Sequence, residues 1–214
     1  MGPCGILHFC LFPSADRGGR VTMERGTSGL PRSLELPPWV RRWNSPHFTP
    51  GRRSQVELVV IHAISLPQGQ FGTGYVMDLF MGRLDPQAHP SFRELEGLKV
   101  SCHFFVERTG QIHQFVDPRD TAWHAGMSEF LGRTNCNDFS IGIELEGAYG
   151  VPFTEEQYSS LELLLRALVA SYPLITSSRV VGHEHISPGR KWDPGPSFSW
   201  ERVRAWMEEI ERCP

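Results

Sequence analysis

In some segments of this chain the hydrophobic residues form short runs or alternate with polar residues, which predicts strands. In other segments they recur every three or four residues, which predicts amphipathic helices. Strands are predicted at residues 58–61, 100–107, 111–116, 140–145 and 179–182. Helices are predicted at residues 75–81, between a capping box at 154–157 and Pro173, and at residues 199–211. Because these elements alternate without a strict strand–helix–strand repeat, we expect a single α/β domain built around a mixed central β-sheet.

The strand predicted at residues 140–145 has two faces of different chemistry. Three apolar side chains alternate with a glycine and two glutamates: Ile141, Ile143 and Leu145 with Gly142, Glu144 and Glu146. Successive side chains of a strand point to opposite faces of its sheet, so both glutamates lie on one face. That face is either exposed to solvent or lines a polar site, and the pattern alone favours the exposed surface.

Composition and net charge limit the classes of protein to which this chain can belong. The 214 residues are 40% hydrophobic and 21% charged, which is ordinary for a globular protein. Residues 1–30 are rich in Gly, Arg and Ser without a regular period, so we expect a disordered extension there and the folded domain over residues 31–214. The net charge of -3 weighs against a nucleic-acid partner, and no apolar run reaches the ~18 residues of a membrane span.

Cysteine usage indicates a reducing compartment. The chain has five cysteines, which is an odd number, and no two of them form a C-x-x-C motif. This pattern argues against a disulfide framework and against a thiolate zinc finger. Since the chain also carries no recognisable export signal, we expect a cytoplasmic protein.

Two histidines and one aspartate form a candidate metal site. His62 directly follows a strand of buried character, His183 follows another in the same way, and Asp193 comes ten residues later in a proline-rich loop. Two imidazoles and one carboxylate, with a fourth position left open, are typical of catalytic zinc sites. Spacing alone leaves the alternative that these residues have ordinary hydrogen-bonding roles, since the chain contains nine histidines.

Glu144 and Lys191 are candidates for the chemistry beside such a metal. A carboxylate near a metal site can act as a general base, and a lysine can stabilise an oxyanion. Lys191 lies two residues before Asp193 and is one of only two lysines in the chain. For both residues the alternative is a solvated surface position.

The segment Trp123-His124-Ala125-Gly126 places an aromatic ring and an imidazole before a predicted turn. An exposed aromatic ring can stack on the apolar face of a sugar, and packing in the core is an equally good interpretation of Trp123. The histidines at positions 103, 113 and 185 are interpreted as structural.

Five segments, taken together and in this order, resemble the zinc-dependent N-acetylmuramoyl-L-alanine amidases. They are V-V-I-H-A-I-S-L-P, S-C-H-F-F-V, A-W-H-A-G, C-N-D-F-S-I-G-I-E-L-E-G and V-G-H-E-H-I-S-P-G-R-K-W-D-P-G-P. The resemblance covers roughly residues 35–211 and is strongest to the AmpD-like branch of the family, which recycles 1,6-anhydromuramyl peptides in the cytoplasm.

The resemblance implies a fold, a metal and a reaction. The fold is a mixed sheet flanked by helices, as in the phage-lysozyme-like amidases and the peptidoglycan recognition proteins. One zinc ion per chain is bound by His62, His183 and Asp193, while Glu144 is the acid/base residue and Lys191 stabilises the oxyanion. The reaction is hydrolysis of the amide between the lactyl group of muramic acid and L-alanine in a muropeptide. We expect a monomer without nucleic-acid or membrane partners.

Three positions depart from the usual pattern of the family. Ala63 stands where asparagine is usual after the first ligand, and Asn135 and Lys99 stand where arginine is usual. The family's substrate groove includes Trp123 and residues of the 71–99 insertion, so Trp123, Lys99 and Asn135 are the candidate substrate contacts. Lysine cannot make the bidentate contact that arginine makes with a carboxylate, so the departures affect substrate contacts and leave the metal site unchanged.

Three alternatives remain at this stage. A non-catalytic peptidoglycan-recognition module is disfavoured because the ligand set is complete and is accompanied by Glu144 and Lys191. An envelope amidase acting on intact peptidoglycan is disfavoured because no export signal is recognisable. A structural zinc site in a protein of another function is disfavoured because the ligand set leaves one coordination position open.

Overall fold

Short strands, four α-helices and three short 3₁₀-helices make up the regular structure of residues 34–212, the part of the chain that the computed structural model describes. The strands are β1 (Arg41–Arg42), β2 (Phe48–Thr49), β3 (Leu58–Ile64), β4 (Phe104–Val106), β5 (Ile112–Gln114), β6 (Thr121–Ala122), β7 (Glu129–Phe130), β8 (Arg133–Thr134), β9 (Ser140–Glu146) and β10 (Val180–Gly182). The helices are α1 (Tyr75–Phe80), α2 (Glu155–Ser171), α3 (His183–Ile186) and α4 (Trp200–Arg212). The expectation of a disordered extension over residues 1–30 lies outside the described residues.

Six strands form a mixed sheet in the order β1-β5-β4-β9-β3-β10. Strands β4 and β5 are antiparallel neighbours, and every other neighbouring pair in this sheet is parallel. The two seven-residue strands, β3 and β9, lie side by side within it. Because β9, β3 and β10 run in the same direction, their carboxyl ends meet at one edge of the sheet. The predicted α/β domain with a mixed central sheet is confirmed.

The central strands are buried on both faces, and the two faces differ in character. On one face, alternate residues of β3 and β9 pack against α2 and α4 in an apolar core. This core includes Val59, Ile61, Ile141, Ile143, Leu145, Leu161, Leu164, Leu165, Leu168, Val203 and Met207. By strand alternation, the opposite face carries His62 of β3 and the polar residues of β9. The polar side chains of the central strands are therefore gathered on one face.

Helix α2 begins at the predicted capping box and is tied to the sheet there. Thr154 Oγ1 accepts the backbone N–H of Gln157, and Gln157 Oε1 accepts the backbone N–H of Thr154. The side-chain amide of Gln157 also donates to the carbonyl oxygens of Val106 and Glu146. The start of α2 is therefore fixed against the end of β9, the strand that carries both glutamates.

The bounds of β9 and β10 differ from the sequence prediction by one residue each, and those of three other strands differ by more. Strand β3 continues to Ile64, so the expectation that His62 follows the end of the strand is wrong: His62 lies inside it. The strand continues because its parallel pairing with β9 extends to the last residue of both strands. The strands predicted at residues 100–107 and 111–116 are only three residues long in the structure. The backbone groups on either side of them form hydrogen bonds outside the regular strand pairing, such as the bond from the N–H of Phe115 to the carbonyl oxygen of His103.

Two further findings concern the cysteines and the helices of the described segment. Cys102 and Cys136, the cysteines of the described segment, are buried and free. Within residues 34–212, no helix combines the length and the apolar character that crossing a bilayer requires.

Candidate metal centre and active site

The register of three neighbouring strands brings predicted site residues together. In the parallel pair β3–β9, His62 is directly opposite Glu144, and in the pair β3–β10, Ile61 is opposite Gly182. His183 follows Gly182 and begins helix α3, level with His62. Side chains at the same level of neighbouring strands lie on the same face of the sheet. Glu144, His62 and His183 therefore form a row across the carboxyl ends of β9, β3 and β10.

Asp193 completes the group from the loop that follows α3. The Nδ1 atoms of His62 and His183 are 3.0 Å apart, and each is 3.1 Å from Oδ2 of Asp193. These separations are close to those of a tetrahedral zinc site, in which ligand atoms are roughly 3.3 Å apart for bonds of roughly 2.0–2.1 Å. Among residues 34–212, these three side chains are the group that could hold a metal ion.

The protonation states of His62 and Asp193 favour the binding of a cation. Burial lowers the pKa of His62 to about 4, so its imidazole is neutral at pH 7. Burial by itself would raise the pKa of Asp193, but the neighbouring rings of His183 and His62 outweigh it and hold that pKa below its ordinary value. His62 thus offers a neutral nitrogen and Asp193 an anionic oxygen, which is the donor chemistry of a catalytic zinc site.

The far ring nitrogen of His183 is held by the backbone. Nε2 of His183 lies 3.1 Å from the carbonyl oxygen of Ala125, so this nitrogen carries the ring proton and leaves Nδ1 unprotonated. Arg190, which sequence reasoning did not identify, donates to the same carbonyl at 2.9 Å and to that of Met127 at 2.7 Å. Arg190 therefore fixes the segment that orients His183.

Glu144 is buried, and its Oε2 atom is fully enclosed without a hydrogen-bond partner among the described residues. Only 8% of the residue is exposed. Burial raises the pKa of Glu144 well above its ordinary value; Asp193 adds to the rise and Lys191 opposes it. A carboxyl group with a raised pKa exchanges its proton closer to neutral pH, as an acid/base residue must.

Glu146 lies on the same face of β9, but its carboxylate is fully engaged. Oε1 accepts the N–H of Gly72 at 2.5 Å, and Oε2 accepts the N–H of Arg108 at 3.0 Å. Since Glu146 is only 4% exposed and Glu144 is also buried, the interpretation of this face as solvent-exposed is wrong. Glu146 anchors the loop before α1 to the sheet, whereas Oε2 of Glu144 has no such partner among the described residues.

A cavity of about 490 Å³ opens over the group. His62, His183, Asp193 and Glu144 line it, and Lys191 lines it as well. One wall comes from the 71–99 insertion, through Leu79, Phe80, Ser91, Glu94, Leu95 and Leu98. The insertion therefore borders the candidate site, where the resemblance places the substrate groove.

The three candidate substrate contacts lie outside the cavity lining. Trp123 is partly exposed, donates its indole N–H to Oγ1 of Thr49 and stacks on the ring of His47. Lys99 and Asn135 are exposed. A role of these residues in substrate binding stays a prediction.

Sequence reasoning assigned no role to His124 or Gly142, although Gly142 carried a signal. A glycine inside a strand often marks the close approach of another group, and a Cβ at Gly142 would lie 2.4 Å from Cγ of His124. Burial, and then the neighbouring His62, lower the pKa of His124 well below its ordinary value. The histidines interpreted as structural each contact a polar atom of the protein through a ring nitrogen, at positions 103, 113 and 185.

The fold and the site together define a class of protein. A buried His-His-Asp group, a neighbouring glutamate and a lysine, all lining one cavity, are the components of a mononuclear zinc hydrolase. Both the donor set and the orphaned Oε2 of Glu144 fit a zinc ion at this position.

Comparison with known proteins identifies the family within this class. Residues 52–196 match the family described as N-acetylmuramoyl-L-alanine amidase. The 1,6-anhydro-N-acetylmuramyl-L-alanine amidase AmpD of Haemophilus influenzae is 55% identical over 163 residues, which are 76% of this chain and 89% of that protein. The chain belongs to the N-acetylmuramoyl-L-alanine amidase family, and all five segments that carried the resemblance lie within the matched residues.

Solved structures agree with this assignment. The crystal structure of a selenomethionine derivative of AmpD is similar with a TM-score of 0.78 at 45% identity, covering 84% of this chain and 99% of that one. The amidase AmiD of Escherichia coli, in complex with anhydro-N-acetylmuramic acid-L-Ala-D-gamma-Glu-L-Lys, is 30% identical with a TM-score of 0.53, covering 72% and 59%. The predicted fold and enzyme class are confirmed.

Proposed function

We propose that this protein is a zinc amidase that hydrolyses the bond between the lactyl group of 1,6-anhydro-N-acetylmuramic acid and L-alanine, in peptidoglycan recycling. The observation that carries the proposal is the convergence of His62 Nδ1, His183 Nδ1 and Asp193 Oδ2 within 3.1 Å, in the cavity that Glu144 also lines. The names of the AmpD relatives and the ligand of AmiD support the same substrate class.

Each side chain of the candidate site has its own role in the proposed reaction. His62, His183 and Asp193 would hold the zinc ion, which would supply Lewis acidity towards a carbonyl oxygen and a water molecule near neutral pH. Glu144 accepts the proton of the attacking water and returns it to the nitrogen of the leaving L-alanine. Lys191 brings its ammonium group to the carbonyl oxygen and stabilises the negative charge that develops there.

The proposal includes further properties of the protein. Residues 31–214 form the amidase domain, and the enzyme acts in the cytoplasm, which the free thiols of Cys102 and Cys136 support. Its partner is a small muropeptide rather than a nucleic acid or a membrane, and the enzyme is a monomer.

Product analysis tests the reaction itself. The purified protein is incubated with an anhydromuramyl tripeptide, with the same muropeptide lacking the anhydro bond, and with intact sacculi. We expect mass spectrometry to detect free tripeptide from the anhydromuropeptide, because the metal and Glu144 act on the lactyl–alanine amide. A chelator should abolish the release, and added zinc should restore it.

The comparison of substrates separates the alternatives. Release of peptide only from sacculi would identify an envelope amidase, and binding of muropeptide without any release would identify a recognition module. Either result would contradict the proposed function.

Lys191→Met is expected to lower kcat by ~10²–10³-fold, the usual effect of removing one oxyanion-stabilising group. The affinity for zinc should not change, because Lys191 is not one of the converging donor atoms. Steady-state kinetics and zinc titration measure both effects. Arg204→Met removes an exposed cation from α4 and serves as a control for loss of charge alone. Wild-type kcat in Lys191→Met would contradict the assigned role.

A further inference from the structure

A third imidazole, that of His124, lies against the ring of His62. Nδ1 of His124 is 2.9 Å from Nε2 of His62, and the two rings are nearly perpendicular, at 83° with centroids 5.1 Å apart. Asp193 and His183 face the other ring nitrogen of His62, Nδ1. His124 therefore contacts a candidate metal ligand at the nitrogen that the metal does not use.

Ser140 sets the direction of this hydrogen bond. Oγ of Ser140 lies 2.6 Å from the carbonyl oxygen of Cys136, and because a carbonyl can only accept, the hydroxyl proton is committed to it. Nε2 of His124 is 3.2 Å from the same Oγ. Since that hydroxyl has no second proton to give, His124 must donate to it, and the ring proton of His124 is on Nε2.

The position of that proton determines the state of His62. A neutral imidazole carries one ring proton, so Nδ1 of His124 is an acceptor once Nε2 is the donor. The 2.9 Å contact then requires the proton of His62 to lie on Nε2. Nδ1 of His62 keeps a free lone pair, which is the state that a metal ligand needs.

The ring of His124 is held in place from two further directions. Oδ1 of Asn137 accepts the backbone N–H of His124 at 3.0 Å and that of Ala125 at 2.8 Å. The ring lies on the backbone of Gly142, where a Cβ would approach it to 2.4 Å. Position 142 therefore has no room for a side chain while His124 keeps this position.

We propose that His124 is a positioning residue, which holds His62 in the orientation and tautomer that present Nδ1 to the metal, with Ser140 setting the direction of the hydrogen bond. This inference rests on the proposed zinc site. It identifies the carbonyl of Cys136 as the fixed end of a hydrogen-bonded series that runs through Ser140 and His124 to His62.

Two replacements with the same branched side-chain skeleton test the proposal at His124. Asparagine keeps an acceptor near the position of Nδ1, whereas leucine has the same number of side-chain heavy atoms and no acceptor. The probe is zinc alone, and its Kd is measured by competition with a chromophoric chelator at constant pH. We expect the Kd to rise by ~10–100-fold in His124→Leu, the usual effect of losing such a contact, and His124→Asn to keep most of the wild-type affinity.

The tautomer of His62 gives a second readout that packing alone would not change. In the zinc-free protein, the ¹⁵N chemical shifts of the His62 ring show which nitrogen carries the proton. We expect the proton on Nε2 in the wild type and a mixture of tautomers in His124→Leu. We expect a mixture of His62 tautomers in Ser140→Ala as well. This variant keeps His124 and removes only the hydroxyl group that sets the direction of the hydrogen bond between His124 and His62.

His113 supplies the matched control, since it is fully buried and both of its ring nitrogens contact polar groups of other residues. His113→Leu should leave the zinc Kd unchanged even where it lowers the free energy of unfolding. An unchanged Kd in His124→Leu, equal losses in the leucine and asparagine variants, or an unaltered tautomer in Ser140→Ala would each overturn the inference. Failure of the wild-type protein to bind zinc would overturn the proposed function instead.

Discussion

Exchanging Asp193 for asparagine is expected to remove zinc binding and amidase activity together. The two side chains have nearly the same shape, so the change removes the negative charge and little else. Oδ2 of Asp193 lies 3.1 Å from Nδ1 of His62 and from Nδ1 of His183, and it provides the one anionic donor of the buried group. Losing one partner of a buried charge pair typically costs ~3–5 kcal/mol, so zinc affinity should fall on the order of 10³-fold.

Metal content and turnover check this prediction on the same samples. Zinc per chain is measured after dialysis against a weak chelator, and release of peptide from the anhydromuropeptide is measured at limiting zinc. Asp117→Asn is the control, because Asp117 is an aspartate that pairs with exposed Arg119 away from the cavity lining, where such pairs contribute little. Full zinc content with wild-type affinity in Asp193→Asn would show that Asp193 is not a ligand.

The second large effect is expected for Glu144→Gln, which should lower kcat by ~10²–10⁴-fold while zinc affinity is retained. Glutamine occupies the same volume but can neither accept the proton of water nor return it to the leaving nitrogen. Steady-state kinetics with a parallel zinc titration measure the two quantities. Turnover at the wild-type rate would remove Glu144 from the acid/base role.

The same substitution is expected to stabilise the zinc-free protein at neutral pH. Burial raises the pKa of Glu144, so the folded protein binds this proton more tightly than the unfolded chain does. The stabilising contribution of the protonated carboxyl is therefore present below the ordinary pKa of about 4.3 and is lost as the pH rises through the raised value. Glu144→Gln should exceed the wild type in free energy of unfolding by about 1–3 kcal/mol at neutral pH, and less at acidic pH.

Glu146→Gln is the matched control for both effects, since it lies two residues along the same face of β9 and is equally buried. Its two carboxylate oxygens accept the N–H groups of Gly72 and Arg108, and glutamine can accept only one of them. We expect this variant to lose about 1–3 kcal/mol of stability and to keep its kcat. Denaturant unfolding of the two zinc-free variants should therefore give changes of opposite sign.

Local elements of the fold could be predicted from the sequence because local chemistry decides them. The capping box at Thr154 and Gln157 starts helix α2 as expected, and the alternation along residues 140–146 separates the apolar face of β9 from its polar face. The ends of β3, β4 and β5 could not be predicted in the same way. A strand ends where its partner stops pairing, and that partner is distant in the sequence.

The candidate metal ligands were predicted from motifs, whereas their convergence depends on strand pairing. His62 and Glu144 are 82 positions apart along the sequence. Only the parallel register of β3 and β9 places them opposite each other, and only the neighbouring β10 brings His183 level with them. Periodicity shows which face a side chain occupies, but it does not show which strand lies beside it.

By itself, then, the sequence determined the class of fold, the enzyme family and the residue types of the candidate zinc site, because each depends on local patterns and short motifs. The tertiary structure alone distinguished Glu144 from Glu146, which share one face of one strand and differ in whether backbone N–H groups reach their oxygens. It also revealed His124, whose ring contacts Gly142, Ser140 and His62 from a separate segment. The physical reason is the same in both cases: hydrogen-bond partners are set by the packing of segments that the chain brings together only when it folds.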